Sequence, residues 1–271
     1  MAGTVAIGGC GGGTGAPSIS ASRLFDPRAL RPDGTPQRMV WALSDVDGYL
    51  ARTAPDSITV TAVQNDITVL DAVSVDVHRD GLLVPYYPVE MEFADSSPVE
   101  FTFEASGQQF VSFVDARGRA DDGLVGRNDT MPAVATPLFD DPRGSSPVCT
   151  RSPEQCPFHD ISLDDALSEG RQVIINISTP AFCSNQVACG PGLEVLIAEA
   201  PEISEDVAII HAEVYTAPTS TDLGVPAPIM DATGLWFEPA LYVIERDGTV
   251  AQRLDFMWDT VDLRATIATL S

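Results

Sequence analysis

The sequence predicts a multi-domain protein in which an all-β region precedes an α/β region. Short segments that alternate apolar and polar residues fill the first region, and apolar runs alternate with helix-like segments in the second. A stretch rich in Pro, Gly and Asp separates them. The 271 residues, 44% of them apolar, suffice for two cores. The expected parts are a flexible tether at 1–33, a β-domain at 34–116, a connector at 117–157 and an α/β domain at 158–271.

The β-domain is predicted to be a β-sandwich of immunoglobulin-like type, because several short alternating segments follow one another between turns rich in Gly, Pro, Asp and Ser. These segments are Ser57–Gln64, Ala72–His78, Val89–Phe93, Val99–Glu104 and Phe110–Val114. His78, at the end of its segment, is expected to face solvent. Tyr86 and Tyr87 are expected either to form an exposed recognition patch or to pack between the two domains.

The net charge of −24 narrows the classes of partner. All 15 basic residues are Arg, so a P-loop, which needs a Lys, is excluded. An acidic surface repels the phosphates of nucleic acids and anionic lipids, so we exclude nucleic acid as a partner.

The first of the five cysteines suggests a membrane anchor. Cys10 follows a small apolar segment and precedes a run of glycines, which resembles the lipidated cysteine of a bacterial lipoprotein. A dinucleotide-binding loop is the weaker interpretation of these glycines, because no strand precedes them. We therefore expect lipidation at Cys10 and an extracytoplasmic location in the cell envelope, anchored to the membrane.

The other four cysteines form two close pairs, which suggests an oxidising compartment. Cys149 and Cys156, in the connector, are expected to form a small structural disulfide. The alternatives are a second redox pair or a metal clip, for which His159 is the one neighbouring histidine.

The second pair, Cys183 and Cys189, is the strongest candidate for chemistry. The apolar run Val173–Ile177 predicts a buried strand and Leu193–Ala200 predicts a helix, with the two cysteines between them. A thiolate at a helix N-terminus has a lowered pKa and is a better nucleophile.

The rest of the α/β domain is predicted to alternate helices and strands. The expected elements are a helix at Ser162–Ser168, a strand at Asp206–Tyr215, a loop from Thr216 to Gly234, a hairpin of Ala240–Glu245 and Thr249–Leu254, and a closing helix from Asp259 to Leu270.

This order of elements resembles the thioredoxin-like superfamily over residues 158–271. Phe182 before Cys183, and the sequence Phe237-Glu238-Pro239, resemble that family's redox turn and its cis-proline segment. Together with the connector cysteines and Pro85–Pro88, these motifs resemble a group of exported thioredoxin-like proteins of actinobacterial type with an N-terminal β-domain.

The resemblance implies a thiol–disulfide oxidoreductase that acts on cell-envelope or secreted protein disulfides and needs no cofactor or metal. Cys183 would attack the partner disulfide, Cys189 would resolve the mixed disulfide, and Pro239 would dock the substrate strand. The residues expected to contact substrate are Phe182, Trp236 and Glu238.

Two other functions remain open at this point. The first is a non-enzymatic cell-envelope binding protein in which both disulfides are structural. The second is a copper-binding thioredoxin-like chaperone, in which His211 would join Cys183 and Cys189 as the third ligand.

Overall fold

The computed structural model describes residues 19–118, 123–183 and 187–270. Cys10, the predicted lipidation site, lies outside the described residues. The described residues form twelve strands in three sheets, together with four short α-helices. None of these helices is long and apolar enough to cross a membrane.

The N-terminal part consists of strands. They are β1 (Ser20–Arg23), β2 (Gln37–Asp45), β3 (Gly48–Tyr49), β4 (Ser57–Gln64), β5 (Ile67–Asp76), β6 (Tyr87–Met91), β7 (Val99–Ala105) and β8 (Gln108–Val114). One antiparallel sheet has the order β1-β2-β3, with β6 also paired to β2, and the other has the order β5-β4-β7-β8. The predicted bounds of β4 are confirmed, and the prediction of an all-β region agrees with this architecture.

The two N-terminal sheets share one hydrophobic core. Trp41 of β2 is fully buried and packs against Phe101 and Phe103 of β7, with ring centroids 5.5 and 4.9 Å away. Phe101 and Phe103 are alternate residues of β7, so the period of two directs both to its buried face, whereas β2 is buried on both faces around Trp41.

Part of the segment expected to be a tether is folded. Strand β1 pairs with β2 over four residues, and Leu24 and Leu30 are buried. This part of the segment is therefore structured, because Leu30 joins the core shared by the two sheets and Leu24 packs in a smaller cluster with Val40. The composition of 1–33 concealed this, since Gly, Pro and Ser dominate the segment.

The C-terminal part has one mixed sheet with helices on both faces. Its elements are α1 (Leu163–Ser168), β9 (Gln172–Ile177), α2 (Cys189–Glu199), β10 (Val207–Ala212), α3 (Pro228–Thr233), β11 (Ala240–Ile244), β12 (Val250–Asp255) and α4 (Thr260–Ile267). The sheet order is β10-β9-β11-β12; β9 and β10 are parallel and the other pairs are antiparallel. Helices α1 and α3 pack on one face, and α2 and α4 on the other.

The predicted loop from Thr216 to Gly234 contains α3, which the sequence analysis missed. This helix has only six residues, begins at Pro228 and ends at Gly234 in a left-handed conformation. Helix α1 has the same length and was predicted because a Ser N-cap precedes it, whereas α3 lies in a segment rich in Pro and Thr that predicts a loop.

The segment before α1, which includes the connector, contacts both edge strands of the C-terminal sheet. The carbonyl of Phe158 accepts a hydrogen bond of 2.9 Å from the N–H of His211 in β10. At the opposite edge, Val250 of β12 donates to Asp129 and accepts from Asn128, both at 2.9 Å.

A polar joint links the N-terminal sheets to α4. Nδ1 of His78 lies 2.9 Å from Oδ1 of Asp259, whose N–H donates to the hydroxyl of Tyr86 at 3.0 Å. Asp262 accepts hydrogen bonds from Arg38 and from Tyr86. Tyr86 is fully buried here, so packing between the two parts is the interpretation that the structure supports. The prediction that His78 faces solvent was wrong, because its side chain is only 15% exposed.

Candidate functional site

The predicted strand, cysteine turn and helix are present in the structure. Strand β9 ends at Ile177 and α2 begins at Cys189, and Cys183 forms a disulfide with Cys189 across a Cα–Cα distance of 6.3 Å. Both residues are buried; Cys183 is 3% exposed and Cys189 is fully covered. The two residues therefore differ little in exposure.

The first turn of α2, which begins at Cys189, packs closely on Trp258 just before α4. The indole N–H of Trp258 donates to the carbonyl of Gly192 at 3.1 Å. A Cβ atom at Gly192 would lie 2.8 Å from the Trp258 ring, so only glycine allows the first turn of α2 to approach this closely.

The carboxylate of Glu238 lies beside this disulfide. Its carboxylate oxygen and the two sulfurs lie within 4.8 Å of one another. Burial raises the pKa of Glu238 to about 7, although the N–H of Thr179 donates to this carboxylate at 2.6 Å and acts in the opposite direction. The negative charge of Glu213 raises the pKa further. A carboxyl group that titrates near neutral pH beside two sulfurs can take up or release the proton of a thiol.

An aromatic groove adjoins Glu238. It has a volume of about 490 Å³ and is open to solvent along one side. Its aromatic and carboxylate lining includes Tyr215, Trp236, Phe237, Phe256 and Glu238. The rings of Phe237 and Phe256 stack with centroids 4.8 Å apart. Trp236 is 37% exposed, and its indole N–H donates to Asp26 at 3.2 Å.

The other predicted site residues lie close to this groove. Pro239 follows Glu238 through a cis peptide bond, and its carbonyl accepts a hydrogen bond of 2.9 Å from the N–H of Phe256. Phe182 is half-buried beside Cys183 and does not line the groove. The structure thus brings Glu238 beside the disulfide and places Trp236 with Glu238 along the groove.

A second group of potential ligands lies deeper in the C-terminal part. Cys149, Cys156, His159 and His211 are all buried, and each offers a sulfur or nitrogen atom within 4.8 Å of the others. Nδ1 of His211 lies 3.6 Å from Sγ of Cys149 and 3.3 Å from Sγ of Cys156.

This arrangement corrects two expectations. Cys149 and Cys156 were expected to form a disulfide, yet both are free thiols that face the same imidazole. His211 was the candidate third ligand of a copper site at Cys183 and Cys189, yet it groups with the other cysteine pair. The parallel register of β9 and β10 places His211 opposite Asn176, on the face where the connector packs.

The buried thiols influence each other strongly. The hydrogen bond with Cys156 is the largest cause that lowers the pKa of Cys149, and the histidines act in the same direction. The same contact raises the pKa of Cys156. Burial alone would lower the pKa of His211, but the contact with Cys149 and the charge of Glu213 raise it overall. The group therefore holds its protons jointly.

Sequence reasoning missed that these four residues converge. The spacing of Cys149, Cys156 and His159 was the available signal, and only the fold supplies His211, 55 residues after Cys156. The two groups can support different chemistry, namely thiol exchange at the disulfide and metal ligation at the thiols and imidazoles.

Comparison with known proteins gave no match, either to a family model or to a curated sequence.

Proposed function

We propose that this chain is a thiol–disulfide oxidoreductase of the cell envelope, in which an immunoglobulin-like β-sandwich precedes a thioredoxin-like domain. One observation carries the proposal. The carboxyl group of Glu238 lies within 4.8 Å of both sulfurs of the Cys183–Cys189 disulfide and also lines an open aromatic groove. A redox pair, a proton acceptor and a place for substrate thus adjoin one another.

The order of elements supports the thioredoxin-like assignment. The cysteines lie between a central strand, β9, and α2, and the chain then continues through β10, α3 and a hairpin to α4. Pro239 directly precedes the hairpin strand β11, as the resemblance in sequence implies. Cys189, the first residue of α2, lies where the positive end of the helix dipole favours its thiolate, which is the form that attacks in the resolving step.

The proposed reaction exchanges one disulfide for another. The Cys183 thiolate of the reduced protein attacks a sulfur of the substrate disulfide, and the other substrate sulfur leaves as a thiolate and takes up a proton. Cys189 then attacks Sγ of Cys183 in the mixed disulfide and releases the second substrate thiol. The substrate disulfide is reduced to two thiols, and the protein dithiol is oxidised to the Cys183–Cys189 disulfide. The reverse sequence oxidises a substrate dithiol.

Glu238 supplies the proton acceptor for the second step. Cys189 is fully covered, so its thiol has little contact with water and needs a nearby base before it attacks. The carboxylate of Glu238 can accept that proton, because its pKa of about 7 allows it to be ionised at neutral pH.

The groove indicates the kind of substrate. Tyr215, Trp236, Phe237 and Phe256 offer aromatic surface beside Glu238. We expect an extended protein segment with an apolar residue near its cysteine to bind there, since aromatic grooves bury such side chains. The acidic surface of the chain favours segments without excess negative charge.

The burial of both sulfurs favours a second candidate function. Cys183 is only 3% exposed, so a substrate can reach it only after a movement that uncovers it. If the disulfide is permanent, the chain is a non-enzymatic binding protein whose groove holds a partner.

Trapping of the mixed disulfide between the protein and a substrate tests the proposal. We expect the Cys189→Ser variant to accumulate a mixed disulfide with a model protein disulfide, because the attacking thiol remains and the resolving thiol is gone. The matched Cys183→Ser variant should accumulate little. Intact-mass spectrometry of both variants, with circular dichroism to check folding, gives the result.

The reduction potential separates the two candidates. A potential above about −300 mV for Cys183–Cys189, measured by differential alkylation in graded glutathione buffers, fits an exchanging pair. A pair that stays oxidised below that value, in a protein whose Cys189→Ser variant traps nothing, would make the disulfide structural and leave the binding-protein function.

A further inference from the structure

The second group of cysteines and histidines has the donor set of a metal site. Cys149, Cys156, His159 and His211 offer two sulfurs and two imidazole nitrogens, all buried and within 4.8 Å of one another. In a tetrahedral zinc site, bonds of about 2.3 Å to sulfur and 2.0–2.1 Å to nitrogen place these ligands about 3.6 Å apart. The observed distances from Nδ1 of His211 to the two sulfurs are 3.6 and 3.3 Å, so these two edges of the tetrahedron are already close to the required length.

The hydrogen bonds of the two imidazoles leave one nitrogen of each ring for a metal. Nε2 of His211 lies 3.0 Å from the carbonyl oxygen of Ser178, which can only accept, so Nε2 carries the proton and Nδ1 faces the sulfurs. Nδ1 of His159 donates to the carbonyl of Pro137 at 3.3 Å. The buried Nε2 of His159 has no hydrogen-bond partner among the described residues. Histidine ligands of metals are oriented in this way, with the second nitrogen held by a carbonyl.

Backbone N–H groups also point at the sulfurs. The N–H of Cys156 lies 3.4 Å from Sγ of Cys149, and the N–H of Phe158 approaches Sγ of Cys156. Such donors stabilise thiolates, which are the form of cysteine that binds metals.

We propose that Cys149, Cys156, His159 and His211 bind one zinc ion in a closed structural site. Two thiolates, two neutral imidazoles and Zn²⁺ together carry no net charge, which suits a fully buried position. Four protein ligands leave no open position, as in structural zinc sites. Copper(I) also binds thiolates, but two imidazoles in a four-ligand set fit zinc better.

The site fastens the connector to the edge of the C-terminal sheet. Three ligands come from the connector and the start of the α/β region, and the fourth comes from β10. The same contact region includes Thr150, whose N–H donates to the buried Glu213 at 2.6 Å. A disulfide between Cys149 and Cys156 would instead remove both thiol donors and leave the two buried imidazoles facing sulfur atoms with no proton to share.

Metal analysis of the full chain tests the proposal independently of any exchange activity. The protein is produced with zinc in the medium, purified without chelators, and analysed by inductively coupled plasma mass spectrometry. We expect one zinc per chain in the wild type and in Cys183→Ser/Cys189→Ser, and none in Cys149→Ser/Cys156→Ser. Replacement by Co²⁺ should give thiolate-to-cobalt charge transfer and the intense visible bands of tetrahedral coordination.

A measurement on the unaltered chain covers the case in which the variants do not fold. Bound zinc should protect Cys149 and Cys156 from alkylation until a chelator is added, as shown by peptide mass spectrometry. The proposal is overturned by a native Cys149–Cys156 disulfide, by copper in place of zinc, by cobalt bands without thiolate charge transfer, or by zinc that persists in Cys149→Ser/Cys156→Ser.

Discussion

The two cysteine pairs of the C-terminal part have nearly the same spacing and different chemistry. Cys183 and Cys189 are six positions apart and form a disulfide beside a carboxylate. Cys149 and Cys156 are seven positions apart and remain thiols beside two imidazoles. The comparison teaches that the neighbouring side chains decide the role of a close cysteine pair, because nitrogen ligands favour metal binding and a titrating carboxylate favours proton transfer.

Removal of zinc from the Cys149–Cys156 pair is expected to lower the stability of the protein more than any other change to the two pairs. With free zinc about a thousandfold above its Kd, binding stabilises the folded state by about 4 kcal/mol. A chelator should therefore lower the Tm on the order of 10 °C for a chain of this size. Thermal unfolding followed by circular dichroism measures the change, with Cys149→Ser/Cys156→Ser as the control that should not respond. An unchanged wild-type Tm would contradict a structural zinc site.

Replacement of the carboxylate beside the disulfide tests the second pair. We expect Glu238→Gln to slow the attack of Cys189 on the mixed disulfide about 100-fold at pH 7, since a positioned base contributes about this much. In the wild type the rate should rise through the Glu238 pKa of about 7, because only the ionised carboxylate accepts the proton. Stopped-flow measurement of mixed-disulfide resolution across pH gives both results.

The control for Glu238 is a carboxylate far from the sulfurs. Glu205 is exposed in the loop before β10, and Glu205→Gln makes the same change in charge. If both variants show the wild-type pH profile, Glu238 does not act as the base.

Loss of the disulfide should have a smaller effect on stability than loss of zinc. The bridge closes a short loop, with a sequence separation of 6, so its effect on the unfolded chain is about 2 kcal/mol. Urea unfolding of Cys183→Ser/Cys189→Ser, compared with the zinc-loaded wild type, measures this difference. If this variant loses more stability than the chelator causes, the disulfide contributes more to folding than the zinc site does.

Loss of the contact between His78 and Asp259, in the joint between the two parts, should lower the stability least. The size of this effect depends on pH. Burial lowers the pKa of His78, but its hydrogen bond to Asp259 and the charge of Asp262 raise it overall. This contribution is fully present below the unfolded pKa of about 6.5 and is lost as pH rises through the folded value. His78→Gln should therefore reduce stability by about 1 kcal/mol at pH 6 and by less at pH 8.

The carboxylate partner of His78 titrates in the opposite direction. The pKa of Asp259 is lowered in the folded protein, with burial opposing the effect and the His78 contact causing it. Its contribution is present above the unfolded pKa of about 3.9 and is lost as pH falls through the folded value. Urea unfolding of the wild type and of His78→Gln between pH 3 and 8 tests the pH dependence predicted for both residues. Parallel curves would show that the joint does not depend on this histidine.

The sequence predicted the elements whose periodicity is strong. The alternation of Ser57–Gln64 located β4, and the apolar run of Val173–Ile177 located most of β9. Helix α3 was missed because it lies in a segment rich in Pro and Thr, and β3 was missed because two residues carry no measurable period.

Only part of the candidate sites could be predicted from the sequence. Cys183 and Cys189 are near in sequence, so their pairing and the helix beside them could be predicted. His211 joins the other pair only through the parallel register of β9 and β10. His211 lies on an apolar strand, and nothing local in the sequence indicates which loop covers that face of the strand.

The contacts that the segment before α1 makes with β10 and β12 also bear on how the molecule behaves in concentrated solution. Edge strands with unpaired N–H and C=O groups are the places where one sheet extends into the sheet of another copy. Here the carbonyl of Phe158 accepts a hydrogen bond from His211 on one edge, and Asn128 and Asp129 bond to Val250 on the other. Displacement of this segment would therefore expose groups on both edges of the sheet that can pair with another copy.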